Sequence, residues 1–474
     1  MGANKAVYDV IVIGAGVVGS GIIRELSKYR LKIALLEKKS DVGEGTSKGN
    51  SAIMHTGFDA KVGTLEARLV REGSRLFRNE VAPALNIPIE EVGAVLVARN
   101  EDEYRELPKI IEIANKNEIT DVKILSVEEV YRLEPHVVDG VKGGVFVPKE
   151  SITCPFTTPL AYATQAVVNG ALFSPNTEVR AIGRDANGIT ELDTTNGKWF
   201  CRYLINSAGL HSDKVDAFLG YQDFRVIPRR GEFIVYDKFA KRLVSHILLQ
   251  VPTPKTKGIL ICPTIFGNVL LGPTADDHND VEDSSTTSVG LEKIQTAGKK
   301  LLPALFEEQD ITTTYAANRS ATQYSEYQLF FHPEKNYVTV GGIRSTGLSA
   351  ALAIARHVVN GLRDMKLELS EKADFKGIRM PSIGECACRP YQDPELIRKN
   401  AGYGKLVCYC EKVSEQELKD AVSATIPAKN LGAVKRRTRA TMGRCQGFNC
   451  MPSVMKIIAD SQGKTVKELF EGGV

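Results

Sequence analysis

The sequence has no run of apolar residues near the roughly 20 that a membrane-spanning helix requires, which excludes direct membrane insertion of that kind. It also has little excess charge of either sign. The formal net charge is +4 over 474 residues, too small to suggest a nucleic-acid binder. The opening MGANKAVYDVIVIGAG lacks the regions of a signal peptide and passes directly into a strand pattern. Its Met-Gly start does not fit a lipidation signal, because Ala6 stands where Ser or Thr is needed. Together these absences point to a cytoplasmic chain, so its nine cysteines are expected as reduced thiols or metal ligands rather than disulfides. What is present is ordinary for a soluble globular protein: 43% hydrophobic and 25% charged residues. The length exceeds one compact core, so two or three domains are expected.

The stretch VYDVIVIGAGVVGSGIIRELSKYRLKIALLEK, Val7 to Lys38, carries the first chemistry. Val10 to Ile13 read as a buried parallel strand. Gly14, Gly16 and Gly19 follow in G-x-G-x-x-G spacing, with Val17 and Val18 between them. Ile22, Ile23 and Leu26 then mark an amphipathic helix. Ile33 to Leu36 form a second apolar run ending in Glu37, 18 residues after Gly19. A complete βαβ unit with this spacing binds a dinucleotide. The glycines let backbone N–H groups approach a pyrophosphate at the helix N-terminus, and Glu37 is placed to accept from ribose hydroxyls. The next segment, GEGTSKGNSAIMHTGFDA from Gly43 to Ala60, is too polar to be core. Thr46, Ser47, Asn50 and Ser51 offer short hydrogen-bonding side chains suited to wrapping a long cofactor.

From this segment onward the chain resembles the flavoproteins of the D-amino-acid oxidase and glycerol-3-phosphate dehydrogenase superfamily. YLINSAGLHSD (Tyr203–Asp213) is similar to the family's second nucleotide-contacting strand and turn, with Ala208 and Gly209 in the turn. PRRGEFIVYD (Pro228–Asp237) and KGILICPTIFGNVLLGPTADD (Lys257–Asp277) resemble strands of its antiparallel substrate sheet. YAANRSAT (Tyr315–Thr322) resembles the strand that carries a substrate-anchoring arginine. VTVGGIRSTGLSAALAIARHV (Val338–Val358) resembles the final strand, turn and helix that close over the flavin, with Gly342, Ile343, Arg344, Ser345, Thr346, Gly347 and Leu348 at the turn. Two positions depart from the family pattern: Phe266 stands where His is usual, and Ala-Asn-Arg-Ser replaces Gly-Leu-Arg-Pro. The resemblance implies FAD as cofactor and covers about residues 7–370. It implies an α/β fold in which a Rossmann-like FAD-binding domain (about 1–85, 150–225 and 335–370) interleaves with an antiparallel-sheet substrate domain (about 86–149 and 226–334).

Periodicity is lost across LELSEKADFKGIRMPSIGE, so about 371–404 reads as a connector. The tail, about 405–474, is helical in pattern and rich in cysteine. Cys408 and Cys410 form a C-x-C pair, and Cys445 and Cys450 a later C-x-x-x-x-C pair. Four sulfurs can hold zinc or an iron–sulfur cluster, and spacing alone leaves these and inert thiols open. A one-residue gap is cramped for a zinc knuckle but suits a cluster whose irons divide the thiolates. The same spacings resemble the bacterioferritin-associated-ferredoxin-like domain, a small helical module fused to anaerobic-type glycerol-3-phosphate dehydrogenases. That resemblance implies a 2Fe–2S cluster.

Cys386 and Cys388 repeat the short gap without a partner pair and read chiefly as linker thiols, while Cys154, Cys201 and Cys262 read as buried small hydrophobes. KRRTRATMGR, Lys435 to Arg444, has five basic residues in ten. It is expected to offset the cluster's negative charge and to dock an acidic redox partner.

The resemblance places His55 at the flavin edge, where it is the candidate general base for an alcohol donor. Arg319, followed by Arg344 and Arg230, are the candidate anchors for a small anionic substrate, each with a sheet-edge or interdomain salt bridge as the alternative. Lys38 and His211 fall in the nucleotide shell. The expected activity is oxidation of sn-glycerol 3-phosphate to dihydroxyacetone phosphate. Electrons would pass from FAD through the cluster to a second flavoprotein or other acceptor subunit in a hetero-oligomer. Alternatives are a 2-hydroxy acid such as L-2-hydroxyglutarate, an amino acid such as proline, a subunit without substrate chemistry, and a zinc-bearing docking tail. Membrane association is expected only through a partner.

Overall fold

The computed structural model describes residues 6–252, 258–307, 310–385 and 388–471. Lys257 and Cys386, named above, lie outside the described residues.

The apolar run at the front becomes the Val7–Ile13 strand, whose last four residues are buried. It lies between two parallel neighbours: Val10 pairs with Ile33 on one side and with Tyr203 on the other. Tyr337–Gly341 extends the parallel sheet beyond Gly197–Asn206, and Gln328–His332 closes that side antiparallel. Eight strands in all form this first sheet. Helices Val17–Leu26 and Gly347–Asp364 pack beside it through a core that includes Ile22, Leu26, Ile354 and Val358. A strand buried on both faces reads as a continuous apolar run, which is why this part is legible without tertiary information.

The second sheet has nine strands, drawn from Ala94–Ala98, Lys123–Leu125 and Gly143–Val147 and from the strands between Val226 and Thr322. It is mainly antiparallel, with one parallel pair, Ile247–Gln250 beside Ala94–Ala98. Its longest ladder joins Val226–Tyr236 to Ile311–Thr322, in register Arg229 with Arg319 and Gly231 with Ala317. A small third sheet ties the two halves: Ile53–Met54 and Ile89–Glu90 both pair with Ser151–Thr153.

The connector runs pinned along the body. Backbone N–H groups of Lys372, Met380 and Glu385 donate to the carbonyls of Lys28, Leu85 and Ile265. Beyond it, a short hairpin (Leu406–Cys408 with Val413–Ser414) and helices Glu415–Ser423, Leu431–Thr438 and Met451–Ser461 enclose a separate core of Val413, Leu418, Val434, Val454 and Ile458.

Three of the five cations in the basic run, Arg436, Arg437 and Arg439, are buried rather than facing solvent, whereas Arg444 is exposed. Arg436 and Arg437 are buried and both donate to the Asp41 carboxylate, at 2.7 Å each, with Glu44 3.5 Å from Arg436. Arg439 is buried against Glu411 at 2.8 Å and lies 3.9 Å over the ring of Phe266. Arg444 reaches Asp310 and Asp237 of the second sheet's domain. A carboxylate distant in sequence, Asp41, draws Arg436 and Arg437 into the seam between the tail and the body. Phe266, the family departure, supplies the aromatic face under one of them. Among the described residues no helix is long and apolar enough to cross a membrane.

Candidate active site and metal centre

A cavity of ≈ 360 Å³ opens along the ends of the first sheet's parallel strands, a size typical of small-molecule and cofactor sites. Most of the residues expected to hold the cofactor line it; Asn50, Ser51, Gly342, Ser345, Thr346 and Leu348 do not. Two helices start at its wall, at Gly16 and at Thr346, and neither has a side-chain cap. Their N-termini therefore present unused backbone donors and the positive ends of their dipoles to the cleft, the arrangement a diphosphate requires. Ser47 Oγ, 2.9 Å from the Val17 N–H, is the one side chain reaching into the first of them. Gly19 is obligatory, because a Cβ there would sit 1.9 Å from the Gly14 carbonyl oxygen.

Glu37 is fixed by two backbone donors, Ala15 N at 2.7 Å and Lys39 N at 2.8 Å. Burial pushes its carboxyl pKa up against those hydrogen bonds. Each oxygen keeps acceptor capacity for a ribose hydroxyl. At the rim, Lys38 Nζ lies 2.7 Å from His211 Nε2 and 2.8 Å from Glu282 of the other domain. Burial, then the Lys38 charge, lowers the His211 pKa. These residues fit a dinucleotide with its diphosphate between the helix ends. Glu282 and Ser284, which no sequence motif announced, also line the cleft, as does Asn318 beside Arg319.

His55 follows the Ile53–Met54 strand. Its backbone N–H donates to Ser349 Oγ at 2.8 Å, in the first turn of the helix whose Gly347 lines the cavity. Its Nδ1 is 2.9 Å from Glu150 Oε2. The strand that carries Arg319 also meets this segment: the Tyr315 hydroxyl donates to the Asn50 carbonyl at 3.0 Å. Tyr315 and Arg319 share a strand face by alternation.

The three candidate arginines have different environments. Arg230 is paired with Asp283, and Arg344 with Glu66, whose other oxygen accepts from Thr346 Oγ1 at 2.7 Å. Arg319 has no carboxylate partner among the described residues. Its Nη1 donates to the Thr274 carbonyl at 3.1 Å. Burial first, then the neighbouring Arg229 charge, pulls its pKa down to about 10, with Asp276 opposing. A cation set among protein atoms without a counter-ion is poised for an anion from outside.

The tail gathers all four expected sulfurs. Cys408 lies beside Cys450 and Cys410 beside Cys445, close enough for each pair to act on the other's titration. Cys408 and Cys450 are buried, the other two half-buried. Backbone N–H groups of Asn449, Gly447 and Phe448 point at the Cys445 sulfur and lower its pKa against burial. Burial, then the Cys408 charge, pushes the Cys450 thiol up to about 12. Gly443 lets the loop close on Cys410, since a Cβ there would lie 2.3 Å from the Cys410 Cβ. Among the described residues no group of three or more His, Cys, Asp or Glu closes around a single metal ion. Two sulfur pairs with amide donors fit a two-iron cluster better than one tetrahedral zinc.

Comparison with known proteins bears on the fold and on both cofactors. The family described as FAD dependent oxidoreductase matches residues 9–360. The BFD-like 2Fe-2S binding domain matches residues 406–460. A glycerol 3-phosphate dehydrogenase of Caloramator mitchellensis is 36% identical over 466 residues, 98% of this chain and 96% of its own. The structure is similar to a Mycoplasma pneumoniae L-alpha-glycerophosphate oxidase with FAD bound, at TM-score 0.76 and 29% identity, over 80% of this chain and 100% of that one. A Bacillus halodurans glycerol-3-phosphate dehydrogenase complexed with FAD shares the fold over 98% of this chain and 94% of that one, at TM-score 0.69 and 17% identity.

Proposed function

Because the chain belongs to the FAD-dependent oxidoreductase family and ends in a BFD-like 2Fe-2S binding domain, we propose that it oxidises sn-glycerol 3-phosphate to dihydroxyacetone phosphate and passes the electrons to a partner protein. Its cofactors are FAD and a 2Fe–2S cluster. When bound, FAD supplies the hydride acceptor and the cluster a one-electron carrier.

The observation that carries the reading is Arg319, a cation without a carboxylate partner among the described residues, on the strand that also holds the His55 segment. Its planar fork anchors the phosphate and fixes the carbinol carbon. His55 takes the hydroxyl proton through Nε2 as the C–H bond breaks. The open helix ends hold the cofactor diphosphate, and Cys408, Cys410, Cys445 and Cys450 hold the two irons. The 36% identical relative, matched along nearly the whole chain, supports the phosphate substrate.

A second reading, oxidation of a 2-hydroxy acid or an amino acid such as proline, is favoured by one fact. Arg230 and Arg344 already have carboxylate partners, and a carboxylate needs fewer cations than a phosphate. Anaerobic spectroscopy separates the two. Glycerol 3-phosphate should bleach the flavin bands, and the paramagnetic signal of the reduced cluster should follow. Bleaching by L-2-hydroxyglutarate or proline but not by glycerol 3-phosphate moves the substrate. A reduced flavin beside a cluster that stays oxidised removes the relay.

His55→Asn should lower kcat about a hundredfold with KM nearly unchanged, measured with an artificial acceptor. An equal loss appearing in KM alone would make His55 a binding group. The partner is expected to be a second flavoprotein or another electron-accepting subunit, with any membrane association arising through it. Native purification as a lone monomer contradicts that assembly.

A further inference from the structure

We infer that Glu150 is the positioning residue for His55, holding the imidazole with its proton on Nδ1 and its lone pair on Nε2. The inference rests on the reading of His55 as the base. Nothing in VPKESIT marks this glutamate out from the other acidic residues of the sequence.

Its carboxylate is 1% exposed, and its one ion-pair partner among the described residues is His55. A buried carboxylate is costly unless its oxygens are satisfied, and here each oxygen has donors. Oε1 accepts from the Thr56 N–H at 2.6 Å and from Thr56 Oγ1 at 2.8 Å; Oε2 faces His55 Nδ1 at 2.9 Å. An ionised carboxylate can only accept, so Nδ1 must donate and Nε2 becomes the nitrogen through which the ring acts. The same carboxylate stabilises the imidazolium formed when the hydroxyl proton arrives.

The backbone makes this pairing rigid. The register Met54 with Ser151 sets His55 and Glu150 opposite each other across an antiparallel pair. The Gly93 N–H holds the Glu150 carbonyl at 2.8 Å, and Ser349 holds the His55 backbone. Arg78 is the charged group acting on Glu150 from the neighbouring helical segment. It donates to the Lys149 carbonyl rather than to the carboxylate.

Glu150→Gln is the discriminating variant in the FAD-loaded full chain. The amide oxygen still serves Thr56, but the amide NH2 then faces Nδ1 and favours the opposite tautomer. The expected result is a fall in kcat of ~30-fold or more with KM within ~3-fold, at unchanged FAD content and unfolding midpoint. In a His55→Asn background the same change should cost less than ~2-fold. A purely structural glutamate would instead lower FAD content and stability, and its effect would multiply with that of His55→Asn; either overturns the inference.

If Glu150→Gln does not fold, nitrogen-15 NMR of histidine-labelled wild-type protein decides, with the His55 signals assigned by their loss in His55→Asn. A protonated Nδ1 and bare Nε2 support the inference, and the reverse overturns it. If His55→Asn leaves kcat unchanged, the base reading fails while the tautomer measurement still tests Glu150.

Discussion

Replacing Arg319 by leucine should lower kcat/KM for the anionic substrate about a thousandfold while leaving the fold intact. Truncating one member of a desolvated charge pair typically costs about 2–5 kcal/mol, and each 1.36 kcal/mol is tenfold in rate. Among the described residues Arg319 has only the Thr274 carbonyl as partner, and burial depresses its pKa to about 10. Its charge therefore opposes folding, and removing it should leave the unfolding midpoint unchanged or slightly raised. Arg319→Lys keeps the charge, loses the planar fork, and should fall between the two. Steady-state kinetics with FAD content measured alongside gives the answer. A loss below tenfold in the leucine variant would place the anchor elsewhere.

The second large effect is expected at Asp41. Its carboxylate receives Arg436 at 2.7 Å and both Nη atoms of Arg437, at 2.7 and 2.8 Å, all with little solvent contact. Removing one side of a buried ion pair leaves uncompensated charge and costs about 3–5 kcal/mol. Asp41→Ala should therefore release the tail from the body, seen as faster proteolysis within residues 371–404 and slower cluster reduction. Cleavage at the wild-type rate would mean that the seam is held by other contacts.

The pH dependence has a definite sign. Burial alone would raise the Asp41 pKa, but hydrogen bonds and charge from Arg437, then Arg436, lower it overall. A depressed folded value contributes stability above the unfolded pKa, about 3.9, that is lost as pH falls through the folded one. Wild-type docking should accordingly weaken only in acid below about pH 4, and Asp41→Asn should lack that dependence.

How much of this was legible depended on the distance over which each residue finds its partner. The glycine fingerprint is local at Gly19, where a side chain would collide with the Gly14 carbonyl five residues earlier. The C-x-C pair is local too, and its two sulfurs each lie beside one of the later pair. Glu150 was missed because its partner lies 95 positions away and only strand register joins them. The basic run was misread for the same reason: Asp41 is 395 positions from Arg436. For Arg230 and Arg344 the salt-bridge alternative holds, but sequence could not name Asp283 and Glu66 as the partners. Sequence displayed the donors, and topology chose the acceptors.

The loop that anchors the tail also borders the cofactor cleft, for Glu44 faces the cavity and lies 3.5 Å from Arg436. During synthesis the strands and helices around that cleft are all present once Asp364 has left the ribosome, whereas the four thiols lie beyond it. The cleft's lining thus precedes all four thiols along the chain, yet the tail that carries them holds one edge of that cleft through Glu44.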